Sequence, residues 1–477
     1  MDDKHESLYN GGGGMSGRAY AFAALSVLAL AFGAFASAGM LGAAEENYPL
    51  MGEVLVGERA DAARVEVRGR TTLADHLGWD VAYSPARGEA SAEGGWSLPL
   101  LSTPDYGYAS LPAVGVHSWF EDPFSLSWAA DDIPEGVARG IYDALMAETG
   151  AQEGASGVYD LSDFGSGAPL DLDVVNFAGG EDALDGLFRI PLEEGWLVKA
   201  SYSNGEFSLL PDSSLFDAVR MFSDSVFTPD GYIYFSIAAF AVEGEDALRE
   251  LSGALTPGGE WGVWRVKCTL APGTDTSENR WWTKDGVYVT PDVSTLESVS
   301  GDYGTLGLSG DGKYVLLATE ASGSLRLEVF DAASGERVQS LETGVEPSML
   351  SLHSGEGWVV LDCGGEVMAL TQTDSGFDTA LRCATDDSRL YALTRAMYYE
   401  GVGDYVYDGE RIWRLERALF DSERRYEYRR AYLLVGYGEE GMDYVELLTD
   451  AVTARHSDES LLWFGGDYGL DITEVGA

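Results

Sequence analysis

From residue 195 onward, apolar residues fall into short runs with strand-like alternation, each entered from a turn rich in Gly or Asp-Gly. Five of these runs align with one another. Gly195–Leu210 (GWLVKASYSNGEFSLL) matches Gly357–Leu370 (GWVVLDCGGEVMAL), and Asp230–Ser236, Asp311–Thr319 and Gly403–Leu415 follow the same order of turn and apolar strand. Weaker copies start at Gly95 and Ser460. The units recur at roughly 45 residues, which is the spacing of a repeated all-β module. Each reads as the middle of a four-stranded antiparallel sheet. The unit Leu306–Gly344 is the most complete: a Ser309-Gly-Asp-Gly turn leads into Tyr314–Thr319, residues 321–324 turn the chain, and Leu325–Phe330 runs back. The segment Asp331-Ala-Ala-Ser-Gly-Glu then closes a hairpin into Val338–Leu341.

A strand ending in Asp-Ala-x-[Ser/Thr]-Gly and handing over to an outer strand resembles the repeats of extracytoplasmic β-propellers of the PQQ-like, TolB and WD40-like groups. The resemblance covers most of residues 90–477. It implies an all-β chain with a single β-propeller of seven four-stranded blades, or eight as the alternative. The Trp that PQQ-type repeats carry after this turn is replaced by Gln339-Ser340, and no unit has the WD dipeptide, so no quinone cofactor is expected. The last alternating strand, Leu470–Val475, leaves the final blade without an outer strand. Val54–Val56 or Arg64–Arg68 is expected to complete it, because propellers remove their open edges in this way.

Two segments break the strand pattern. Around residues 130–160, an Asp131-Asp-Ile-Pro start precedes Val137, Ile141 and Leu145 at helical spacing. Around residues 241–260, Leu248, Leu251 and Leu255 with a Glu245–Arg249 pair suggest a second amphipathic helix. Both are expected to be short helical insertions packed on the propeller rim, with a lid or partner-binding helix as the functional alternative.

Residues 19–44 form a run of 26 without a charged side chain, longer than the roughly 20 residues that span a bilayer as a helix. Arg18 before it and Glu45-Glu46 after it favour a cytoplasmic leader (residues 1–18) and an exported body (residues 45–477). The run reads as a transmembrane anchor. Ala36-Ser37-Ala38 has the small-x-small pattern of a signal-peptidase site, so cleavage near Ala38 and secretion is the alternative.

Composition narrows the partners. Against 79 Asp plus Glu stand 30 Lys plus Arg, a formal charge of −49, and removing residues 1–38 leaves 28 − 76 = −48 on the exported body. Nucleic acid is therefore not an expected ligand. At 45% hydrophobic and 12% aromatic residues the chain is too apolar to be a disordered acidic tail. Only Cys268, Cys363 and Cys383 are present; Cys363 and Cys383 could pair in an oxidising compartment, or all three are small buried hydrophobes. The five His have no zinc-ligand spacing.

Residues 411–430 hold seven Arg against four acids, a local net of +3. Arg414, Arg417, Arg424, Arg425, Arg429 and Arg430 are candidate contacts for an anion or a partner, or they neutralise acids on adjacent blades. Trp261, Trp281 and Trp282 are candidate aromatic contacts, with inter-blade packing as the alternative. The Asp-Gly turns lack EF-hand spacing, and no metal is expected. No Gly-x-Ser-x-Gly elbow occurs; Gly307-Leu-Ser-Gly-Asp lacks the last Gly. The expected function is thus a non-catalytic binding or scaffold module for a protein or envelope polymer, held to the membrane through residues 19–44. The alternative is a propeller hydrolase of glycans or peptides using acidic residues at a central channel, with no catalytic residue named.

Overall fold

The computed structural model describes residues 25–28, 33, 50–73, 77–96, 124–127, 133–150, 152–166, 169–176, 184, 187–192, 194–211, 219–242, 248–251, 261–270, 289–300, 303–321, 323–346, 350–394, 398–421, 428–450 and 469–474. In chain order the strands begin with β1 (Leu50–Val56), β2 (Val65–Leu73), β3 (Leu77–Ser84), β4 (Glu89–Trp96) and β5 (Phe124–Ser127). After the helix Glu135–Thr149 come β6 (Ala155–Asp160), β7 (Pro169–Asn176), β8 (Phe188–Pro191), β9 (Leu197–Ser203) and β10 (Glu206–Pro211). Then follow β11 (Val219–Phe227), β12 (Tyr232–Val242), β13 (Leu248–Glu250), β14 (Gly262–Leu270) and β15 (Val289–Ser300). The next eight are β16 (Thr305–Leu308), β17 (Tyr314–Ala321), β18 (Ser324–Asp331), β19 (Arg337–Glu342), β20 (Ser351–Gly355), β21 (Trp358–Asp362), β22 (Glu366–Thr373) and β23 (Gly376–Ala384). A helix, Asp387–Thr394, precedes β24 (Tyr398–Tyr407), β25 (Ile412–Asp421), β26 (Tyr428–Gly438), β27 (Gly441–Asp450) and β28 (Gly469–Glu474).

These strands form seven antiparallel sheets among the described residues, and the protein is all-β with few helices. Six sheets follow one another, because their first strands lie side by side in the order β5, β11, β16, β20, β24, β28. The β16–β19 sheet has the expected meander, with Tyr314 opposite Asp331 and Ala321 opposite Ser324. Apolar faces of successive sheets interlock. Leu316, Leu327 and Val329 from one sheet and Val359, Leu361 and Phe377 from the next share one buried cluster, and Tyr314 meets Phe377 edge-on at 5.8 Å. Such burial stabilises the stack by roughly 1.5–3 kcal/mol per large apolar side chain. No closed ring is found among the described residues.

The unit beginning at Gly195 departs from the expected succession of blades. Its strands β9 and β10 pair with each other, and β9 pairs on its other side with β6, which lies earlier in the chain, in a separate three-stranded sheet. The helix Glu135–Thr149 covers this sheet and buries Val137, Ile141 and Leu145, the stripe read from the sequence. Tertiary pairing of β6 with β9 thus withdraws a unit that local pattern alone assigns to the repeat.

A second correction concerns residues 241–260. Leu248–Glu250 form strand β13, paired with Phe240–Val242 at the end of β12, instead of a helix. The long β12 leaves backbone groups beyond its pairing with β14, and β13 satisfies them. Leu251 is buried, and its N–H donates to the Ala239 carbonyl at 2.9 Å.

The N-terminal strands do more than supply one outer strand. Strand β1 pairs with β27 as a fifth strand, and β2 pairs with β28, so β2, β3 and β4 provide three strands of the sheet that β28 begins. Gly95 lies near the end of β4, and the Ser460 unit is described only from Gly469. Among the described residues no helix is long and apolar enough to cross a membrane. The run 19–44 lies almost wholly outside them; Leu25–Leu28 and Gly33 are helical, with Leu25, Val27 and Leu28 exposed.

Candidate functional site

The richest cluster of chemistry-bearing side chains lies where the β20–β23 sheet meets the β24–β27 sheet. Strand periodicity places Ser351 and His353 on one face of β20, and Arg414 and Glu416 on one face of β25. Register brings in the rest, with Asp362 opposite Ser351 and Tyr405 opposite Arg414. Ser351 Oγ and His353 Nε2 are 3.1 Å apart, and the His353 ring lies 4.7 Å from that of Tyr405. The Tyr405 hydroxyl donates to Asp362 Oδ2 at 2.5 Å. Arg414 approaches Asp387, at the start of the helix Asp387–Thr394, at 3.4 Å and Glu416 at 2.6 Å.

This cluster is nearly sealed. Arg414 is 7% exposed, and Ser351, His353, Asp362 and Glu416 are each 3% exposed. Burial opposes the Arg414 charge, but Tyr405 and Glu416 outweigh it and hold the guanidinium well above its ordinary value. Burial raises the Glu416 carboxyl, and Arg414 only partly offsets this. Burial also pushes the Tyr405 and Tyr437 phenols up. Arg414 Nε and Glu416 Oε2 have no hydrogen-bond partner among the described residues, so the 2.6 Å approach to Glu416 is an ion pair without hydrogen-bond alignment. Chemically, the arrangement is a buried charge clamp between two sheets. Its Ser–His contact has the spacing of an activated hydroxyl, but neither atom faces bulk water.

Two further clamps recur at other junctions, and sequence reasoning missed both. Arg59 donates to Tyr83 Oη (2.9 Å), Glu446 Oε1 (2.7 Å), the Pro85 carbonyl (3.0 Å) and the Gly52 carbonyl (2.7 Å). Glu446 is fully buried and also accepts from Tyr83 (2.5 Å) and Tyr444 (2.8 Å). The Tyr83 hydrogen bond raises the Arg59 value against the effect of burial, with Glu446 adding to it. Arg265 behaves in parallel, donating to Tyr234 Oη and the Ala333 carbonyl, each at 3.1 Å, and pairing with Glu297.

Each guanidinium lies over a glycine of a matching turn. A Cβ on Gly88 or on Gly335 would sit 2.6 Å from the guanidinium carbon of Arg59 or Arg265, and both glycines have positive φ (+66° and +73°). The signal in the sequence is the pair Ser84-Pro-Ala-Arg-Gly-Glu and Asp331-Ala-Ala-Ser-Gly-Glu.

First strands are also stitched together. Asp224 accepts from Ser225 N and from Leu306 N (2.7 Å) on the next sheet, and Asp404 accepts from Tyr405 N and from Ile472 N (3.0 Å). Both acids begin an Asp-x-Val-aromatic string, Asp224–Phe227 and Asp404–Tyr407.

The expected contact residues scatter. Arg414 is locked in the clamp, and Arg417 is half-buried with its guanidinium 5.9 Å from the Tyr432 ring centre. Arg429 and Arg430 lie in β26, while Arg424 and Arg425 are outside the described residues. Trp261 is buried and donates its indole N–H to the Leu251 carbonyl at 3.0 Å, which removes it from any exposed aromatic surface. Its neighbour Trp264 packs on Phe188. Trp281 and Trp282 are outside the described residues. None of the three cysteines is in a disulfide and all three are buried, and no grouping able to hold a metal occurs among the described residues.

No protein-family model and no curated protein matches the chain. Solved structures similar to it include a functionally unknown protein from Desulfotomaculum acetoxidans, at 10% identity over 54% of this chain and 66% of that one, with TM-score 0.22. Prolyl endopeptidases match at 12% identity, with TM-score 0.23, over 80% of this chain and 42% of theirs, so the chain spans less than half their length. TolB from Acinetobacter baumannii matches at 11% identity, with TM-score 0.21, over 80% of this chain and 79% of that one. Overlaps of this size specify no activity.

Proposed function

We propose that this protein is a membrane-anchored, extracytoplasmic β-propeller that binds a protein or an envelope polymer without catalysis. The observation that carries the reading is the succession of antiparallel sheets whose first strands are stitched edge to edge while their charged side chains are tied into inter-sheet clamps. A scaffold of this kind holds its connecting loops rigidly and uses its ionisable groups for shape. The uncharged run 19–44, with Arg18 on one side and Glu45-Glu46 on the other, supports an anchor and an exported body. Affinity capture of the full chain from its own membranes is expected to recover one partner in near-equal amount, with no turnover of glycan or peptide substrates. A hydrolase is the second reading, favoured by the 3.1 Å Ser351–His353 contact. Turnover that Ser351→Ala abolishes in a folded protein would replace binding by hydrolysis.

A further inference from the structure

The sheet of β6, β9 and β10 lies outside the succession of six sheets, and among the described residues β6 pairs only with β9, on one side. The Leu161 N–H donates to the Trp196 carbonyl at 2.8 Å and the Gly154 N–H to the Tyr202 carbonyl at 3.0 Å, so both carbonyls turn toward β6. Bonded and non-bonded pairs alternate along an antiparallel ladder. In the register of β6 on β9, Ala155, Gly157 and Tyr159 therefore bond to β9. Ser156, Val158 and Asp160 turn their N–H and C=O groups to the open edge. Ala155 and Tyr159 are buried in one cluster with the stripe of the helix Glu135–Thr149. By strand alternation the side chains of Ser156, Val158 and Asp160 face the other way, and Val158 is 54% exposed.

Exposed sheet edges are blunted by Pro, by Lys or by a covering strand. Here β1 covers β27 and β13 covers the end of β12, and β10, the other edge of the same sheet, ends at Pro211. Strand β6, Ala-Ser-Gly-Val-Tyr-Asp, carries none of these devices. Its outward residues complement themselves instead. A two-fold axis at Val158 sets this residue opposite Val158 of a second copy and sets Ser156 opposite Asp160 of that copy. An apolar pair then occupies the centre, a hydroxyl faces a carboxylate on either side, and no like charges meet. We infer that β6 pairs antiparallel with β6 of a second copy about Val158, joining two three-stranded sheets into one of six strands. Each copy carries −49, so their mutual repulsion opposes the contact, which tightens as salt rises. This self-association is separate from the capture of a different partner proposed above.

Sedimentation velocity of the full chain in a nonionic detergent is expected to show a monomer–dimer equilibrium that shifts toward dimer as salt rises. Val158→Lys should raise the dissociation constant several-fold or more, because it sets two like charges opposite each other. Val158→Pro should act in the same direction, since it removes an N–H that β9 does not use. Leu210→Lys on β10, where Leu210 is 58% exposed, should leave the equilibrium unchanged. Cross-linking reads the register. Val158→Cys should form a disulfide between copies, because the Cα atoms of a bonded pair lie about 5.5 Å apart. Ser156→Cys should not, because its two copies are offset by about 13 Å along the strands. The native cysteines are buried and stay silent. A chain that remains monomeric at every salt concentration overturns the inference. So does a dimer that Val158→Lys leaves unchanged, or one that Ser156→Cys cross-links as readily as Val158→Cys. Near-ultraviolet circular dichroism of each variant must match the parent.

Discussion

The Arg59 clamp and the Arg414 clamp use the same residue types and reach opposite states. Arg59 remains 34% exposed at its side chain, finds four acceptors, and meets a carboxylate that also receives two tyrosine hydroxyls. Arg414 is more deeply buried, and its Nε and its partner's Oε2 lack hydrogen bonds. A buried ion pair is favourable only when the remaining polar atoms are satisfied. The first clamp therefore holds the N-terminal strands to the C-terminal sheets, whereas the second is a stressed junction whose charge state can change.

Arg59→Met is expected to give the largest effect, because it takes the cation away from the fully buried Glu446. The expected loss is about 3 kcal/mol, the lower end for a broken buried pair since Arg59 is partly solvated, read from urea unfolding. Arg414→Met should cost less, about 2 kcal/mol, because Glu416 can take up a proton in compensation. Arg414→Met with Glu416→Leu should recover most of that loss, while Arg59→Met with Glu446→Leu should not, since Tyr83 and Tyr444 would both lose their acceptor. Equal recovery in the two pairs would dissolve the distinction between them.

The pH dependence sharpens it further. The Glu416 carboxyl lies above its ordinary value of 4.5 when folded, so the folded state binds that proton more tightly than the unfolded chain. Stability should fall as pH rises from that ordinary value to the raised one, and Glu416→Gln should lack the fall. On the alkaline side, burial raises the phenols of Tyr83, Tyr405, Tyr437 and Tyr444 above the ordinary 10.0. The unfolded chain then deprotonates first, and stability should decline above that value. The smallest effect concerns the thiols: burial pushes Cys268, Cys363 and Cys383 up to about 12, so none should react with a disulfide reagent until the protein unfolds.

The β16–β19 sheet was legible almost residue by residue because its turns are local. Asp331 accepts from Ser334 N at 2.8 Å, and Gly335 N donates back to the Asp331 carbonyl at 2.8 Å, all within five residues. The helix Glu135–Thr149 was legible for the same reason. Strands β9 and β10 look like a repeat unit in isolation, and their assignment to another sheet depends on β6, some forty residues upstream. The leucines at 248 and 251 have helical spacing, yet the open backbone of β12 decides their conformation. Arg59 and Arg265 carry no local mark, since the groups they serve lie far away in the chain, Tyr83 and Glu446 for the one and Tyr234, Glu297 and Ala333 for the other. Arg414 was visible as part of a basic island, but its burial was not, because Asp362 and Asp387 come from outside that stretch.

Pairing of Val65–Arg70 with Gly469–Glu474 also sets an order of events during synthesis. Strands β1 and β2 leave the ribosome long before their partners β27 and β28. Until those partners emerge, both early strands carry open edges that invite pairing with other chains. Closing so long a loop is slow, which favours translocation linked to synthesis or a chaperone that shields the edges. A nascent chain halted before residue 469 should accordingly be more prone to aggregation and proteolysis than one released after residue 474.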